Sequence, residues 1–536
     1  MTKPLQNDFI HQSRLVSALL NSMQNQSPNA IVRLLETHIS WVLLAGRYAY
    51  KIKKAVDLGF LNFSDLEARR FYCEEEIRLN RRLAPRLYLD VVTIGGSYDF
   101  PELGASPAIE YAVRMRRFAA SKQLDRLARQ NKLLPSQIDN LAVTLARFHD
   151  GLPKADARSS YGTAEIIYRD MEQNFAQLST LLTQAADVDM LAALKDASDQ
   201  EYSACRKLFE QRLSQGFVRE CHGDLHLGNI VLIGEQPVPF DGIEFNPSLR
   251  WIDVMSEIAF TAMDLQQHQL NGLASRFLNA YFEATGDYAG LRVLRFYMAY
   301  RAMVRAKVSA IRSSQAGLSV ADARLARANC YSLLQLANGY FKSGQARLII
   351  THGLPGSGKT TFSQVALERL QAIRIRSDVE RKRMFELDPL ADSRASTGVD
   401  LYSAAITQRT YAHLLALTRM LVAAGYTVIV DAAFILQAER EPFYQLAEEL
   451  SIPFAIASIQ ASYETLHARI KQRLQAANDA SEADVAVLEK VLQRQQPLSL
   501  QEQTCTAGFV NEGAGLDADQ VAWKKLYQLL RLDAGS

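Results

Sequence analysis

The stretch Arg347–Phe362, RLIITHGLPGSGKTTF, limits what this chain can fold into more than any other. Leu348, Ile349 and Ile350 make a short apolar run of β type. Gly353, Gly358, Lys359 and Thr360 then fit G-x-x-x-x-G-K-[ST], and a helical pattern follows. Strand, glycine loop and helix in that order turn backbone N–H groups inward around a phosphate. Gly353, Gly356, Ser357 and Gly358 form the loop, and Thr361 continues it into the helix. Lys359 is expected to reach the β- and γ-phosphates and the Thr360 hydroxyl to ligate Mg²⁺. The positive end of the following helix adds to the attraction for an anion. A P-loop normally follows the first strand of its domain. Here a long stretch precedes it, so a second, unrelated unit lies upstream.

At 536 residues the chain is too long for one core, and length alone suggests roughly three or four domain-sized units. A net charge of +2 sets up no strong field toward nucleic acid or membrane. Cys73, Cys205, Cys221, Cys330 and Cys505 are scattered, odd in number and free of any C-x-x-C. That pattern argues against a disulfide framework or a zinc site and for a reducing compartment. The first residues, MTKPLQNDFIHQSRL, contain no apolar signal core. No apolar run reaches the roughly 18 residues of a membrane span. The expectation is a cytoplasmic protein with no membrane partner.

Along the chain, residues 5–23 read as an amphipathic helix within an N-terminal segment, 1–30. SWVLLAG and RYAYKIKK are β-like runs around Gly46-Arg47, a hairpin that places Lys51 and Lys53 on one strand face. Residues 64–83 read as a helix with Ser64 as N-cap. Further β signal follows at Leu87–Ile94 and Ala108–Val113. Helical periodicity runs from Leu124 to Leu213 and returns over 251–340. Between these lies CHGDLHLGNIVLIGEQPVPFDGIEF, read as loop, strand (Ile230–Ile233), turn, and a strand ending at Asp241. The polar segment before Arg347, residues 341–346, is the expected linker. Beyond the P-loop come a strand over 372–376, a polar stretch 388–400 read as a mobile loop, and a helix over 401–424. Strands at 427–430 and 453–459 follow, then a helix carrying Arg469 and Arg473. Strands alternating with helices imply a parallel sheet whose ligand sits at the carboxyl ends of the strands. The P-loop, Asp378 and Asp431 all fall there.

The upstream chemistry rests on HGDLHLGN. Asp224 and Asn229 lie five apart in a loop, and Asp241 stands at the end of a later strand. Phosphoryl transfer to a hydroxyl needs a carboxylate near the acceptor and oxygen ligands for Mg²⁺. The segment resembles the aminoglycoside phosphotransferase family, relatives of protein kinases with an HGDxxxxN signature, over about residues 31–340. The resemblance implies an α+β bilobal fold, with a small lobe at 31–120 and a large lobe at 121–340. It implies that Asp224 orients or deprotonates the acceptor hydroxyl and that Asn229 and Asp241 hold Mg²⁺. It also implies that Lys51 contacts the ATP phosphates and pairs with Glu76, with Lys53 competing for that role. Glu110–Arg116 looks like the adenine-receiving hinge. A protein-kinase Gly-rich loop is missing, as it is in the family. Arg301, Arg305 and Arg312 share one helix stripe. Arg301 and Arg305 are candidate contacts for an anionic or phosphorylated substrate. Nothing in the sequence marks an acidic pocket for a polycation.

Downstream, Asp378 follows the second strand with Arg381 three residues on, and Arg469 and Arg473 share a helix face. A carboxylate beside the γ-phosphate can act as base for a hydroxyl acceptor, and arginines can close over the phosphates. This arrangement is similar to small P-loop kinases, the polynucleotide kinase, zeta-toxin and gluconate kinase group with AAA-type ATP binding, over about 347–536. By that resemblance Asp378 is the base, Arg381 a substrate contact, Asp431 near substrate or Mg²⁺, and Arg469 and Arg473 the lid. The whole reads as a bifunctional ATP-dependent phosphotransferase acting on small-molecule hydroxyls, with nucleic acid left open for the P-loop half. The alternatives are one kinase module regulated by a non-catalytic P-loop switch, or a zeta-toxin-like or antibiotic-modifying kinase.

Overall fold

A computed structural model describes residues 3–26, 32–59, 61–156, 158–315, 317–342, 344–388, 391, 401, 403–476, 483–513, 515–516 and 519–532. Its internal contacts divide the chain into two compact units, residues 1–268 with 300–334 and residues 269–299 with 335–536. Most of the stretch 388–400, read above as a mobile loop, lies outside the described residues.

In the first unit, helix α1 (Lys3–Gln26) is followed by strands β1 (Arg33–Glu36), β2 (Ser40–Ala45) and β3 (Tyr48–Lys53). Helix α2 (Leu66–Asn80) then leads into β4 (Tyr88–Gly96), β5 (Pro101–Leu103) and β6 (Glu110–Arg116). These strands make a six-stranded antiparallel sheet in the order β1-β2-β3-β6-β4-β5. The β2–β3 turn sits at Gly46, whose φ of +55° suits a residue without a side chain. Helix α2 starts one residue later than the sequence suggests: Asp65, not Ser64, caps it, accepting from the Ala68 N–H. The apolar side of α1, Leu15, Val16 and Leu19, packs with Trp41, Leu43, Ile52, Ile94 and Ala112 of the sheet. Its polar anchor is Gln12, buried, which donates to the Lys53 carbonyl at 3.1 Å and accepts from the Ala55 N–H at 2.7 Å.

The rest of this unit is mainly helical: α3 (Leu124–Arg129), α4 (Pro135–Asp150), α5 (Ala164–Leu181) and α6 (Ala185–Ser214). Then β7 (Val218–Glu220) leads to the hairpin β8 (Ile230–Ile233) and β9 (Gln236–Pro239), and to β10 (Trp251–Asp253). Strand β10 pairs with β7, so helix resumes only at α7 (Val254–Gln267), not at 251. Asp253 fixes that start, accepting from the Met255 N–H at 2.8 Å while a buried Arg212 clamps it at 2.7 and 2.9 Å. Every residue of α7 from Val254 to Leu265 is buried. Its polar members therefore work inward, on the loop described below.

The second unit holds helix α8 (Asn271–Thr285) and a five-stranded sheet. Helices α9 (Leu291–Ser313) and α10 (Val320–Phe341) each have residues in both units. The sheet comprises β11 (Leu348–His352), β12 (Ile373–Arg376), β13 (Val428–Asp431), β14 (Phe454–Gln460) and β15 (Thr506–Val510). All pairings are parallel, in the order β12-β13-β11-β14-β15. The connections include α11 (Lys359–Leu370), α12 (Ser377–Arg383), α13 (Ala404–Ala423) and α14 (Gln437–Glu449). They continue with α15 (Tyr463–Ala476), α16 (Val485–Arg494) and α17 (Leu500–Thr504), and α18 (Gln520–Leu529) is the last helix among the described residues. Buried strands read as continuous apolar runs because both faces are covered. Ile349, Ile429, Ala455 and Ala457 pack with Phe362, Phe509 and Trp523 in one core. The Trp523 indole N–H donates to the Leu516 carbonyl at 2.9 Å, so burial leaves it satisfied.

Candidate active sites

In the first unit the loop after β7 is shaped from below by α7. Both carboxylate oxygens of the buried Glu257 accept backbone N–H groups, from His222 at 2.6 Å and Gly223 at 3.0 Å. Asp264 accepts from the Leu227 N–H at 2.8 Å, and Thr261 donates to the Leu225 carbonyl at 2.7 Å. Three side chains of one buried helix thus fix the backbone of HGDLHLGN. Asp224 is turned outward, its side chain about a third exposed at 36%. The Asn229 amide donates to the Asp224 carboxylate at 2.9 Å and to its backbone carbonyl at 3.0 Å. Burial pushes the Asp224 carboxyl up, but His226, then Arg305 and His222, outweigh it, and the group sits well below the usual carboxylate range. His222, buried, has its Nε2 at 2.9 Å from the Phe240 carbonyl and belongs to the scaffold.

Asp241 is brought beside this loop by the β8–β9 hairpin: the Phe240 N–H donates to the Asn229 carbonyl and the Ile243 N–H to that of His222, each at 2.9 Å. Its φ is +64°, unusual for a residue with a side chain. The Tyr88 hydroxyl accepts its N–H at 3.0 Å. The Lys51 ammonium joins two acids, Asp241 at 2.6 Å and Glu76 at 2.8 Å. Lys53 takes the other Glu76 oxygen at 2.7 Å and pairs with Glu244. Only Lys51 of the two reaches Asp241, whose side chain is 45% exposed, while Lys53 is 1% exposed. Burial would raise the Glu76 carboxyl, yet Lys51 and Lys53 bring it below its ordinary value.

Two expectations need correction. Glu110–Arg116 is a strand hydrogen-bonded on both edges, to β3 and β4, so its backbone is committed to the ladder rather than free for adenine. Glu110 itself is buried between Arg69 and Gln12. Arg301 is 5% exposed and donates to the backbone carbonyls of Ser256 at 3.1 Å and Gly223 at 3.2 Å. It braces the loop from behind and has no face for a substrate. Arg305, half-buried, is the stripe arginine that acts electrostatically on Asp224.

The second unit gathers its candidates at the carboxyl ends of β11, β12 and β13. A cavity of about 1730 Å³ there is lined by Gly356, Gly358, Lys359, Thr360, Thr361, Asp378, Arg381, Asp431, Arg469 and Arg473. The glycines are required by packing. A Cβ on Gly353 would lie 2.4 Å from the Ile459 carbonyl oxygen, and one on Gly358 would lie 2.1 Å from the Asn511 amide nitrogen. Gly353 has φ +151° and Gly358 φ +98°. Lys359 begins α11, and its ammonium donates to the Leu354 carbonyl at 2.9 Å across the loop. The side chain keeps partial exposure, but protein atoms crowd its charged end. Burial lowers its pKa to about 8, Arg473 adds to the fall, and Asp431 and Asp378 offset it only in part.

Asp431, 5% exposed, accepts from the Ser363 hydroxyl at 2.9 Å. Asp378 lies in the first turn of α12 and is not its N-cap, a position held by Arg376. Arg381 pairs with it at 3.1 Å. Arg469 donates to the Asn511 amide oxygen at 3.3 Å, and Arg473 to the Ala483 carbonyl at 2.6 Å. Among the described residues the buried Arg469 Nη1, Arg473 Nε and Ser357 Oγ have no hydrogen-bond partner. Orphaned donors around a crowded lysine are what an anion-binding pocket leaves open. Sequence reasoning missed Asn511, which donates to the Ser357 carbonyl at 2.8 Å and ties the loop to Arg469. Its only sequence signal was its place just past the last strand. Glu257 and Glu244 were missed too, because helix and loop carboxylates look solvated until burial is known.

Residues 68–297 match the model of the phosphotransferase enzyme family, and residues 348–498 match that of the AAA domain. The chain joins a phosphotransferase-family segment to an AAA-type segment. The phosphotransferase match places it among the kinases, enzymes that use ATP. An uncharacterized protein of Mycobacterium tuberculosis is 29% identical to this kinase over 453 residues, spanning 84% of this chain and 88% of its own. An uncharacterized protein of Mycobacterium bovis matches to the same extent, 29% over 453 residues and the same shares of 84% and 88%. Among solved structures, a choline/ethanolamine kinase family protein from Mesorhizobium loti aligns at TM-score 0.36 and 12% identity, covering 62% of this chain and all (100%) of its own. A gluconokinase from Sinorhizobium meliloti aligns at TM-score 0.27 and 17% identity, covering 35% of this chain and 95% of its own. Scores this low do not bear on the chemistry. Among the described residues no helix is long and apolar enough to cross a membrane.

Proposed function

We propose that the kinase is bifunctional, each unit transferring the γ-phosphate of ATP to a hydroxyl of a small-molecule acceptor. The observation that carries this reading is that each compact unit has its own lysine beside acidic oxygens. Lys51 meets Asp241 and Glu76 in the first, and Lys359 lines one cavity with Asp431 and Asp378 in the second. One binding site for ATP would need one such lysine.

In the first unit Asp224 receives the acceptor hydroxyl and holds its oxygen in line. Its depressed pKa suits a group that orients and accepts a proton late, as the hydroxyl becomes acidic in the transition state. Lys51 binds the nucleotide phosphates. Asn229 and Asp241 fit a Mg²⁺ ion by donor type, since the Asn229 amide nitrogen is turned to Asp224, which leaves its oxygen, and Asp241 adds a carboxylate. In the second unit Lys359 and the loop hold the phosphates, Arg469 and Arg473 neutralise charge from the lid side, and Asp378 is the base. Arg381 contacts the acceptor. Thr360 and Asp431 supply oxygens for a second Mg²⁺, which when bound neutralises phosphate charge. Arg305 beside Asp224 favours an acceptor with a carboxylate or phosphate group at the first site.

Isothermal titration of the full chain with a non-hydrolysable ATP analogue and Mg²⁺ tests the reading. Two sites per chain are expected, with Lys359→Ala and Lys51→Ala each removing a different one. A single site in the unaltered chain would refute it.

A further inference from the structure

Helix α8 falls within the phosphotransferase-matched stretch of the sequence, yet it packs in the P-loop unit. There it grips the strand before Asp378 and the helix that carries Asp378. Strand β12 is at the edge of the five-stranded sheet, so one row of its backbone groups lacks a strand partner. Asn279, buried on α8, covers that row. Its amide oxygen accepts from the Arg374 N–H at 2.7 Å, and its amide nitrogen donates to the Ala372 carbonyl at 2.8 Å. A primary amide offers one acceptor and two donors, enough to stand in for the missing strand.

One turn further on, the Glu283 carboxylate takes Arg374 at 2.9 Å and Arg376 at 2.7 Å. Burial raises the Glu283 carboxyl, but Arg376 and then Arg374 bring it below its ordinary value. Arg376 is itself part of the cavity wall. On the far side of Asp378, Arg383 at the end of α12 donates to the Glu283 backbone carbonyl at 2.5 Å. Ala372, Arg374 and Arg376 before Asp378, and Arg383 after it, are thus all anchored to one helix that lies far upstream in sequence. Helix α8 also holds the P-loop helix, Arg276 pairing with Glu368 of α11 at 2.8 Å.

We propose that α8 is a working part of the P-loop site: Asn279 and Glu283 are positioning residues that fix the β12–α12 junction and with it the aim of Asp378. The proposal rests on the reading of Asp378 as base. On this account residues 347–536 alone are not a complete catalytic piece, because the edge of β12 would lose its cover and Arg374, Arg376 and Arg383 their contacts with α8.

The test uses the full chain with Asp224→Asn silencing the first site, and ATP with water as the acceptor. Turnover and KM for ATP are measured, together with hydrogen–deuterium exchange. Glu283→Gln is expected to lower kcat roughly 10- to 100-fold with KM for ATP unchanged, the scale of a small misplacement of a reacting group. Exchange should rise over 373–383 and stay unchanged over 353–361. Glu283→Asp should recover part of the rate, and Asn279→Ala should raise exchange over the same residues. Unchanged turnover in Glu283→Gln would overturn the proposal. So would a general rise of exchange together with a raised KM, the mark of a merely structural role. A parallel Asp378→Asn variant separates the two readings. If it leaves turnover intact the base assignment fails; if it lowers turnover while Glu283→Gln does not, the positioning role fails.

Discussion

Lys359 carries a positive charge that the folded chain holds at a cost. Its pKa is lowered to about 8, against 10.5 ordinarily, because burial penalises the charge and no carboxylate pairs with it fully. Between those values the unfolded chain binds more protons than the folded one, so this group makes stability rise with pH across that window and adds no slope below it. Lys359→Met should therefore raise the thermal midpoint of the nucleotide-free protein at pH 7, measured by calorimetry. It should also abolish the additional rise on adding ATP at that site. Phosphate bound beside the ammonium restores its proton. ATP binding at pH 8 to 9 should then take up a proton, visible as a binding enthalpy that varies with the buffer's ionisation enthalpy. The two lysines of β3 also part company at this scale. Lys51→Met should lower turnover at the first site by roughly 10²–10³, the loss of one preorganised donor, with a smaller loss of stability than Lys53→Met, since its other partner Asp241 is 45% exposed and Lys53 still neutralises Glu76. Lys53→Met should instead act mainly on stability, since it leaves Glu76 and Glu244 buried with less neutralising charge.

Elements place these residues, and they differ in how openly the sequence announces them. The β11–P-loop–α11 unit was legible because glycines, an apolar run and a helix start coincide in one short stretch. The carboxyl-end positions of Asp378 and Asp431 followed from alternating strands and helices. The hairpin at Gly46 was equally plain. Other features depend on partners far away in the chain. Glu110–Arg116 carries β signal only as far as Val113 and looks like a hinge by resemblance, but pairing on both edges makes it a central strand. Arg301 has the spacing of a surface arginine, and only the Gly223 and Ser256 carbonyls beside it reveal a buried brace. The role of α8 at the P-loop site carries no local signal at all. Helix α1 gives a test at this scale. Gln12→Leu leaves the Ala55 N–H and the Lys53 carbonyl unpaired in the interior, at a cost of about 1–3 kcal/mol for each such group. Urea unfolding should show a lower midpoint for the first unit's transition with an unchanged slope.

At the scale of the molecule, the proposal is that each compact unit has its own phosphate-binding and hydroxyl-directing groups. The most direct measurement uses the full chain with γ-labelled ATP and a metabolite extract, comparing the unaltered protein with Asp224→Asn and Asp378→Asn. Two labelled acceptor products, or two phosphates on one acceptor, are expected. Each substitution should lower its own transfer by roughly 10²–10⁴ and spare the other. If Asp378→Asn leaves every labelled product undiminished, or if either substitution alone removes all transfer, two independent phosphotransferase sites in one chain would be contradicted.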